Sequence, residues 1–436
     1  KQDLKGWLFG LGFLILYFIK KILMMVEKNS IFFEFPEKDI LLEWYKQQST
    51  HTVPEINGHI HTPHSFSAFR NIDEAFQLAE NEGVSVLGIN DFYTTDGYEE
   101  FAGSAKRFKI FPLFNIEFMV LQDHLQESGI LVNDPNNPGR TYFSGKGLLF
   151  PVKMSEYSFN KVKELQKESN RQTYQMVDKL NSFFAEKNTG LKFDAEELHR
   201  KLAKNLFRER HIAKAVRLAV FDEKNNSRDR IELLSKIFSG KEVKSALDNS
   251  ASLENEIRGN LLKAGGAAFV PEDPKAFFSM EEVVNIITDA GGIPCYPVLL
   301  DNPHGEFTHY ESDKEYLLNE LIKNDVYAIE LIPGRNDFKI LKEFVNFFYK
   351  RGFVITFGTE HNTPKLDPLK ISCRGGEPLD EELKRINYEG AAIIAAHQYL
   401  TAMGEEGYLK DKKARTDEKE YFADLGKAVI AWFCKR

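Results

Sequence analysis

A chain of 436 residues that is 42% hydrophobic and 13% aromatic, with 36 phenylalanines, carries ample material for a large buried core and is not a disordered polymer. Its net charge of -8 supplies no basic field for a phosphate backbone, so nucleic acid is not expected as a partner. Cys295, Cys373 and Cys434 lie far apart without a CxxC pair, which argues against a disulfide framework or a structural zinc knot and for a reducing, cytoplasmic compartment.

The first feature in chain order is an apolar run from Trp7 to Ile19, broken by Gly10 and Gly12 and followed by Lys20 and Lys21. As a helix it would span roughly 20 Å, short of a ~30 Å hydrocarbon core. No small-residue cleavage site follows it. Met24 and Met25 stand just before the globular pattern begins. Residues 1–30 are therefore expected to be either non-native upstream sequence or a membrane-associating segment, with a membrane span disfavoured, and residues 31–436 to form the folded unit.

Asn71 and Glu74 open a helix over residues 71–81 with a capping box. Buried strands are predicted over 84–90 (VSVLGIN) and 110–121 (IFPLFNIEFMVL), where polar alternation is weak. From about 150 to 264 the pattern is helical alone. Tyr174, Val177, Leu180 and Phe184 form one apolar stripe and Ile212, Val216 and Val220 another, which reads as an insertion on the main fold. Strands then return at 292–296, 326–332 and 353–357, separated by helices at 313–323 and 338–350, and the chain is helical again past Leu379. This alternation predicts parallel strands joined by crossover helices, in a barrel or a doubly wound sheet.

The chemistry-bearing stretch is NGHIHTPHSFSAF, in which His59 and His61 lie two residues apart. On a strand such residues share a face, so both imidazoles can bind one ion. Asp91, Glu117, and Glu360 with His361 stand at the ends of later predicted strands, where the active sites of parallel β/α folds lie. A carboxylate inside the apolar run around Glu117 is rarely placed there without a partner.

The ordered set HIHTPHS, LGINDFYT, FNIEF, a GGIP strand and FGTEH resembles the PHP family (polymerase and histidinol phosphatase domain) over roughly residues 56–364. The resemblance implies an α/β fold: a distorted TIM-like barrel of seven β/α units, here with a helical insertion and C-terminal helices, acting as a metal-dependent phosphoesterase. By this likeness His59, His61 and Glu117 are metal ligands, and Glu360 stands in place of the family's Asp. Departures accompany it. Phe92 replaces a family histidine, Tyr296 stands before Pro297 where another is usual, and the last motif leaves Asn362 in an imidazole's seat. The implied result is one four-ligand position holding a single divalent ion. Zn is favoured by the two imidazoles, and Mn or Fe are alternatives. His124 with Tyr296 could recruit a second ion, although His124 reads better as a surface residue.

Asp91 is expected to hold the metal-bound water, and His361 or Tyr296 to protonate the leaving oxygen. Arg208, Arg210 and His211, in NLFRERHIAKAV, are similar to a family segment on the substrate side. Arg335 and Arg70, both weaker candidates, would help hold an anion, with His64 at the mouth. The leading expectation is hydrolysis of a small phosphate ester or similar anionic small molecule. A degenerate barrel serving as a binding or regulatory module is the first alternative, and a metal-dependent reaction on a sugar or sugar acid the second.

Overall fold

The computed structural model describes residues 30–49 and 52–435, so the apolar segment before residue 30 lies outside the described residues. Among the described residues no helix is long and apolar enough to cross a membrane.

Seven strands follow one another round a single sheet: β1 (Glu55–Ile60), β2 (Val84–Phe92), β3 (Phe111–Leu121), β4 (Arg140–Lys146), β5 (Ile293–Val298), β6 (Ala328–Leu331) and β7 (Val354–Phe357). β1 to β3 are parallel, as are β5 to β7, while β4 runs antiparallel to both its neighbours. The sheet closes where β7 meets β1. The His61 N–H donates to the Glu360 carbonyl (2.7 Å), and the Thr359 and Glu360 N–H groups donate to the His59 carbonyl (3.1 and 2.9 Å). A barrel of predominantly parallel strands results. Its closure sits at the carboxyl ends of β1 and β7, which brings their functional residues side by side.

β4 was not among the predicted strands, for a physical reason. Tyr142, Ser144 and Lys146 alternate towards the barrel interior, while Thr141, Phe143 and Gly145 pack outward, so the pattern is polar-in and apolar-out. The interior is polar elsewhere too: Asn90, Asn115, Glu117 and Glu330 are all buried there. One glycine is needed for this closure. A Cβ on Gly358 would lie 2.3 Å from the His59 Cβ, so only glycine lets β7 pass this close to β1.

Helices wrap the barrel: α1 (Lys38–Lys46), α2 (Ile72–Asn81), α3 (Tyr98–Phe108) and the short α4 (Asp123–Glu127) come before the insertion. In the insertion, α5 (Glu156–Glu186) spans two cores. Val162 and Leu165 join the barrel core, while Val177, Leu180 and Phe184 belong to a separate apolar cluster. That cluster is completed by α6 (Ala195–Leu202), α7 (Glu209–Glu223), α8 (Ser227–Ile237) and α9 (Ser250–Leu261), with Ile212, Val216, Leu234 and Ile257 at its centre. After it come α10 (Met280–Asp289), α11 (Lys314–Lys323), α12 (Phe338–Tyr349), α13 (Glu381–Ala402) and α14 (Lys419–Lys435). α13 is buried on nearly every face, because α14 covers the side that β7 leaves open. The contact is intimate: a Cβ on Gly426 of α14 would lie 1.7 Å from the Ala392 carbonyl oxygen.

Candidate metal centre

The carboxyl end of β1 presents both imidazoles inward, with ring centroids 5.1 Å apart. Each is fixed by a neighbour that determines its tautomer. The Nδ1–H of His59 donates to Glu330 Oε2 (2.9 Å), which leaves Nε2 with a lone pair. The Ser65 hydroxyl donates to Asp91 Oδ1 (2.6 Å), so the 3.1 Å contact between Ser65 Oγ and His61 Nδ1 is a bond donated by the imidazole. His61 Nε2 is thereby an acceptor as well. Burial lowers the His61 pKa, which keeps the ring neutral.

The two Nε2 atoms are 3.2 Å apart, and Glu117 Oε2 lies 3.2 Å from that of His61. All three donor atoms fall within 4.8 Å of one another, and all three residues are buried. The Asn90 amide nitrogen is almost equidistant from both nitrogens of His59 (3.1 and 3.0 Å), which places it on the ring face rather than along a lone pair. Among the described residues Glu117 Oε2 has no hydrogen-bond partner. Burial, only partly offset by His59, pushes the Glu117 carboxyl up to about 8. A carboxyl that burial presses towards its protonated form, facing two imidazole lone pairs, marks a donor set short of positive charge. A tetrahedral ion with bonds of about 2.0–2.1 Å needs ligand atoms about 3.3 Å apart, and both 3.2 Å separations match it. These residues fit a divalent cation.

Behind His59 stands a buried ion pair. Glu330 accepts from Lys146 Nζ (2.5 Å) and Ser144 Oγ (2.6 Å) as well as from His59, and Glu330 and Lys146 are each 1% exposed. Burial works to raise the Glu330 carboxyl, but Lys146 and His59 hold it far below the usual carboxylate range.

The profile of the PHP domain matches residues 57–244, which contain His59, His61 and Glu117. This chain carries a PHP domain. A candidate metal-dependent phosphoesterase from Bifidobacterium adolescentis is similar in structure, with a TM-score of 0.50 at 15% identity over 77% of this chain and 96% of the other. An amidohydrolase from Chromobacterium violaceum, with bound sulfate and no metal, aligns with a TM-score of 0.44 at 17% identity over 76% of this chain and 96% of its own. No curated protein matches the chain in sequence.

Several residues expected in the PHP site are placed differently. Glu360 lines the same cavity as His59 and Glu117 but does not converge with them; its carboxylate pairs with Arg335 and accepts from Asn362 Nδ2 (2.8 Å). The role expected of Asp91 does not fit its contacts, since its carboxylate accepts from Thr62 N (2.7 Å), Thr62 Oγ1 (2.5 Å) and Ser65 Oγ. Asp91 shapes the loop after β1 and faces away from the donor set. Tyr296 points out of the barrel, where its hydroxyl donates to Glu311 (3.3 Å), because β5 runs on to Val298 and the interior parity falls on Cys295 and Pro297. His361 is occupied at both nitrogens, by Thr359 Oγ1 (2.8 Å) and the Asp367 carbonyl (2.7 Å), and stacks on Phe69. It lines neither the cavity at His59 nor the one at His61.

His211 likewise lines neither the cavity at His59 nor the one at His61. Its Nδ1 accepts from the Arg208 N–H (3.0 Å) at the start of α7, and burial depresses its pKa to about 3. Arg208 and Arg210 line a cavity next to His61, and Arg335 lines the one beside His59. Arg70 is on the surface, paired with Glu74, and His124 is exposed on α4. His64 is buried, with Nδ1 2.5 Å from Asn205 Oδ1 of the insertion. Sequence reasoning missed Glu330, Lys146 and Tyr142. Glu330 carried the same signal as Glu117, a carboxylate inside an apolar run (VYAIELI).

Proposed function

We propose that this PHP-domain chain is a cytoplasmic, metal-dependent hydrolase of a small phosphate ester. The observation that supports it most is the convergence of the buried His59 Nε2, His61 Nε2 and Glu117 Oε2 within 4.8 Å of one another. Two imidazoles and one carboxylate favour Zn²⁺, with Mn²⁺ or Fe²⁺ as alternatives. The description of the fold neighbour as a candidate phosphoesterase supports the reaction class, and three unpaired thiols support a reducing compartment. The cavity beside His59 is about 160 Å³ and its neighbour about 100 Å³, below the roughly 300–1,000 Å³ of ordinary ligand pockets, so they suit only a compact group.

His59, His61 and Glu117 would hold the ion. When bound, it supplies positive charge for a developing oxyanion and lowers the pKa of water towards neutrality. The chain's own groups then divide the remaining work. Glu330 and Asp91, the latter through Ser65, keep both imidazoles in the tautomer that leaves Nε2 free. Arg335 and Arg208 orient the ester's anionic oxygens. Tyr142 lines both cavities, and burial raises its phenol above the ordinary range, so it keeps its proton and can hydrogen-bond the leaving oxygen.

A panel of phosphomonoesters and diesters, assayed with Zn²⁺, Mn²⁺ and Fe²⁺, tests this. Turnover that is lost in Glu117→Gln together with the bound metal is expected. Inactivity on the whole panel with every metal would remove the hydrolase. The displacement of Asp91, Tyr296 and His361 from the cavity favours one second reading, a binding module without catalysis. Absence of a stoichiometric ion, with His59→Ala leaving stability unchanged, would select it.

A further inference from the structure

The cavity on the His61 side is walled by Phe92, Arg208, Arg210 and Arg258, and shares Tyr142 and Asn362 with the cavity on the His59 side. Its charge is unbalanced. Among the described residues Glu209 is the one carboxylate directly paired with these cations: Oε1 accepts from Arg258 Nε (3.0 Å), Arg258 Nη2 (2.9 Å) and Lys263 Nζ (3.3 Å), and Oε2 lies 3.8 Å from Arg208 Nε. Arg210 has no carboxylate in pairing distance among the described residues and donates to Asn255 Oδ1 (3.1 Å). Four positive groups therefore share one negative one, and the side chains of Arg208 and Arg258 are only 26% and 23% exposed.

The crowding shows in the ionisation of its members. Burial, reinforced by Arg258, lowers Arg210 to about 10, while Lys263 and Arg258 overcome burial to hold Glu209 well below its ordinary value. Like charges gathered in a sheltered site cost free energy unless a counter-charge joins them. The Phe92 ring lies 5.0 Å from the Arg208 guanidinium and the Phe66 ring 5.6 Å from that of Arg210. Such stacking orients a guanidinium without consuming its N–H donors.

We propose that the Arg208, Arg210 and Arg258 cavity binds a doubly charged tetrahedral oxyanion, a phosphate group, and that Arg258, on the last helix of the insertion, sets its preference for a dianion. Arg258 lies beyond the residues matched to the PHP domain and was not singled out in the sequence. As the seat of the substrate's charged end this site rests on the hydrolase reading; as a phosphate site it stands without it.

Inorganic phosphate is the probe. Its binding to the full chain is followed by calorimetry and by thermal shift, as purified and after chelation, with acetate as the monoanionic control. The chelated protein is expected to keep its phosphate binding and to ignore acetate. Arg258→Met should weaken phosphate by about tenfold or more, the value of one charge-assisted contact, and Arg258→Lys by less. Glu209→Gln should tighten it, because the competing carboxylate is gone, so that phosphate raises the Tm of this variant more than that of the parent. If chelation abolishes binding, and neither Arg258→Met nor Glu209→Gln alters it in the metal-loaded protein, phosphate sits on the cation; the proposal is then overturned and the hydrolase reading survives. Arg258-dependent phosphate binding in a protein inactive on every phosphoester keeps this site and removes that reading.

Discussion

His59 Nδ1 donates to the Glu330 carboxylate at 2.9 Å across 271 residues of sequence, and the same oxygen accepts from the buried ammonium of Lys146 at 2.5 Å. Glu330 thus selects the tautomer of a metal-facing imidazole while Lys146 keeps the carboxylate ionised. Removing such a partner typically weakens metal binding by about 10–100-fold. Glu330→Gln is expected to do so in competition with a chromophoric chelator. It also leaves Lys146 charged and unpaired, at a cost of roughly 3–5 kcal/mol. Adding Lys146→Met should restore most of the stability and none of the affinity; recovery of both would show that Glu330 acts only through packing.

Gly358 marks the point where β7 closes on β1. A methyl group there would lie 2.3 Å from the His59 Cβ. Gly358→Ala should destabilise the fold by about 1–3 kcal/mol or more through overpacking, and should also lose the metal. Gly103→Ala on α3, where the nearest atom is the flexible end of Arg107 at 3.7 Å, is the control. It should be neutral or stabilising by up to about 1 kcal/mol. Urea denaturation of the two variants separates them.

Two buried histidines must stay neutral for the fold to hold. His211 Nδ1 accepts from the Arg208 N–H, and His397 Nδ1 accepts from the Tyr408 N–H (3.0 Å). Burial depresses them to about 3 and about 4. The unfolded chain binds those protons near pH 6.5, so below that value the unfolded state takes up more protons than the folded one. Their contribution to stability is therefore complete above about pH 6.5 and is lost as pH falls towards 4 and then 3. Denaturant midpoints measured from pH 7.5 to 4 should fall accordingly, with a shallower slope in His211→Gln. An unchanged slope in that variant would place the acid sensitivity elsewhere.

Asp91 and Tyr296 should separate cleanly. Asp91→Asn replaces an acceptor of three hydrogen bonds from Thr62 and Ser65, and so disturbs the support of His61. Metal affinity should drop. Tyr296→Phe removes a hydroxyl that faces Glu311 on the outside of β5, so metal affinity and any turnover should stay at parental values. A loss of turnover in Tyr296→Phe would return this residue to the site.

Much of the architecture was legible because it depends on local periodicity. The apolar runs at β2, β3, β6 and β7 and the stripes through Val177 and Ile212 report burial directly. Ser279 and Glu282 form a capping box at the start of α10. At Asn71 half of one forms, since the Glu74 carboxylate turns back to Arg70 instead. β4 escaped because its interior face is the polar one.

The sequence by itself determined which residues could form a centre: two imidazoles two apart on a strand, and a carboxylate within an apolar run, are set by strand parity and by the cost of burying a lone charge. Only the tertiary structure decided which way the strand-end residues point. β2 turns Asn90 inward and Asp91 outward, β5 extends past Tyr296, and left-handed backbone at Glu360 (φ 63°) and His361 (φ 55°) swings one side chain to Arg335 and the other to Asp367. Side-chain direction at a strand end depends on where the strand stops and what lies across the barrel. Neither is encoded within the few residues around it, and so Glu330, Lys146 and Arg258 joined the site only when the chain closed on itself.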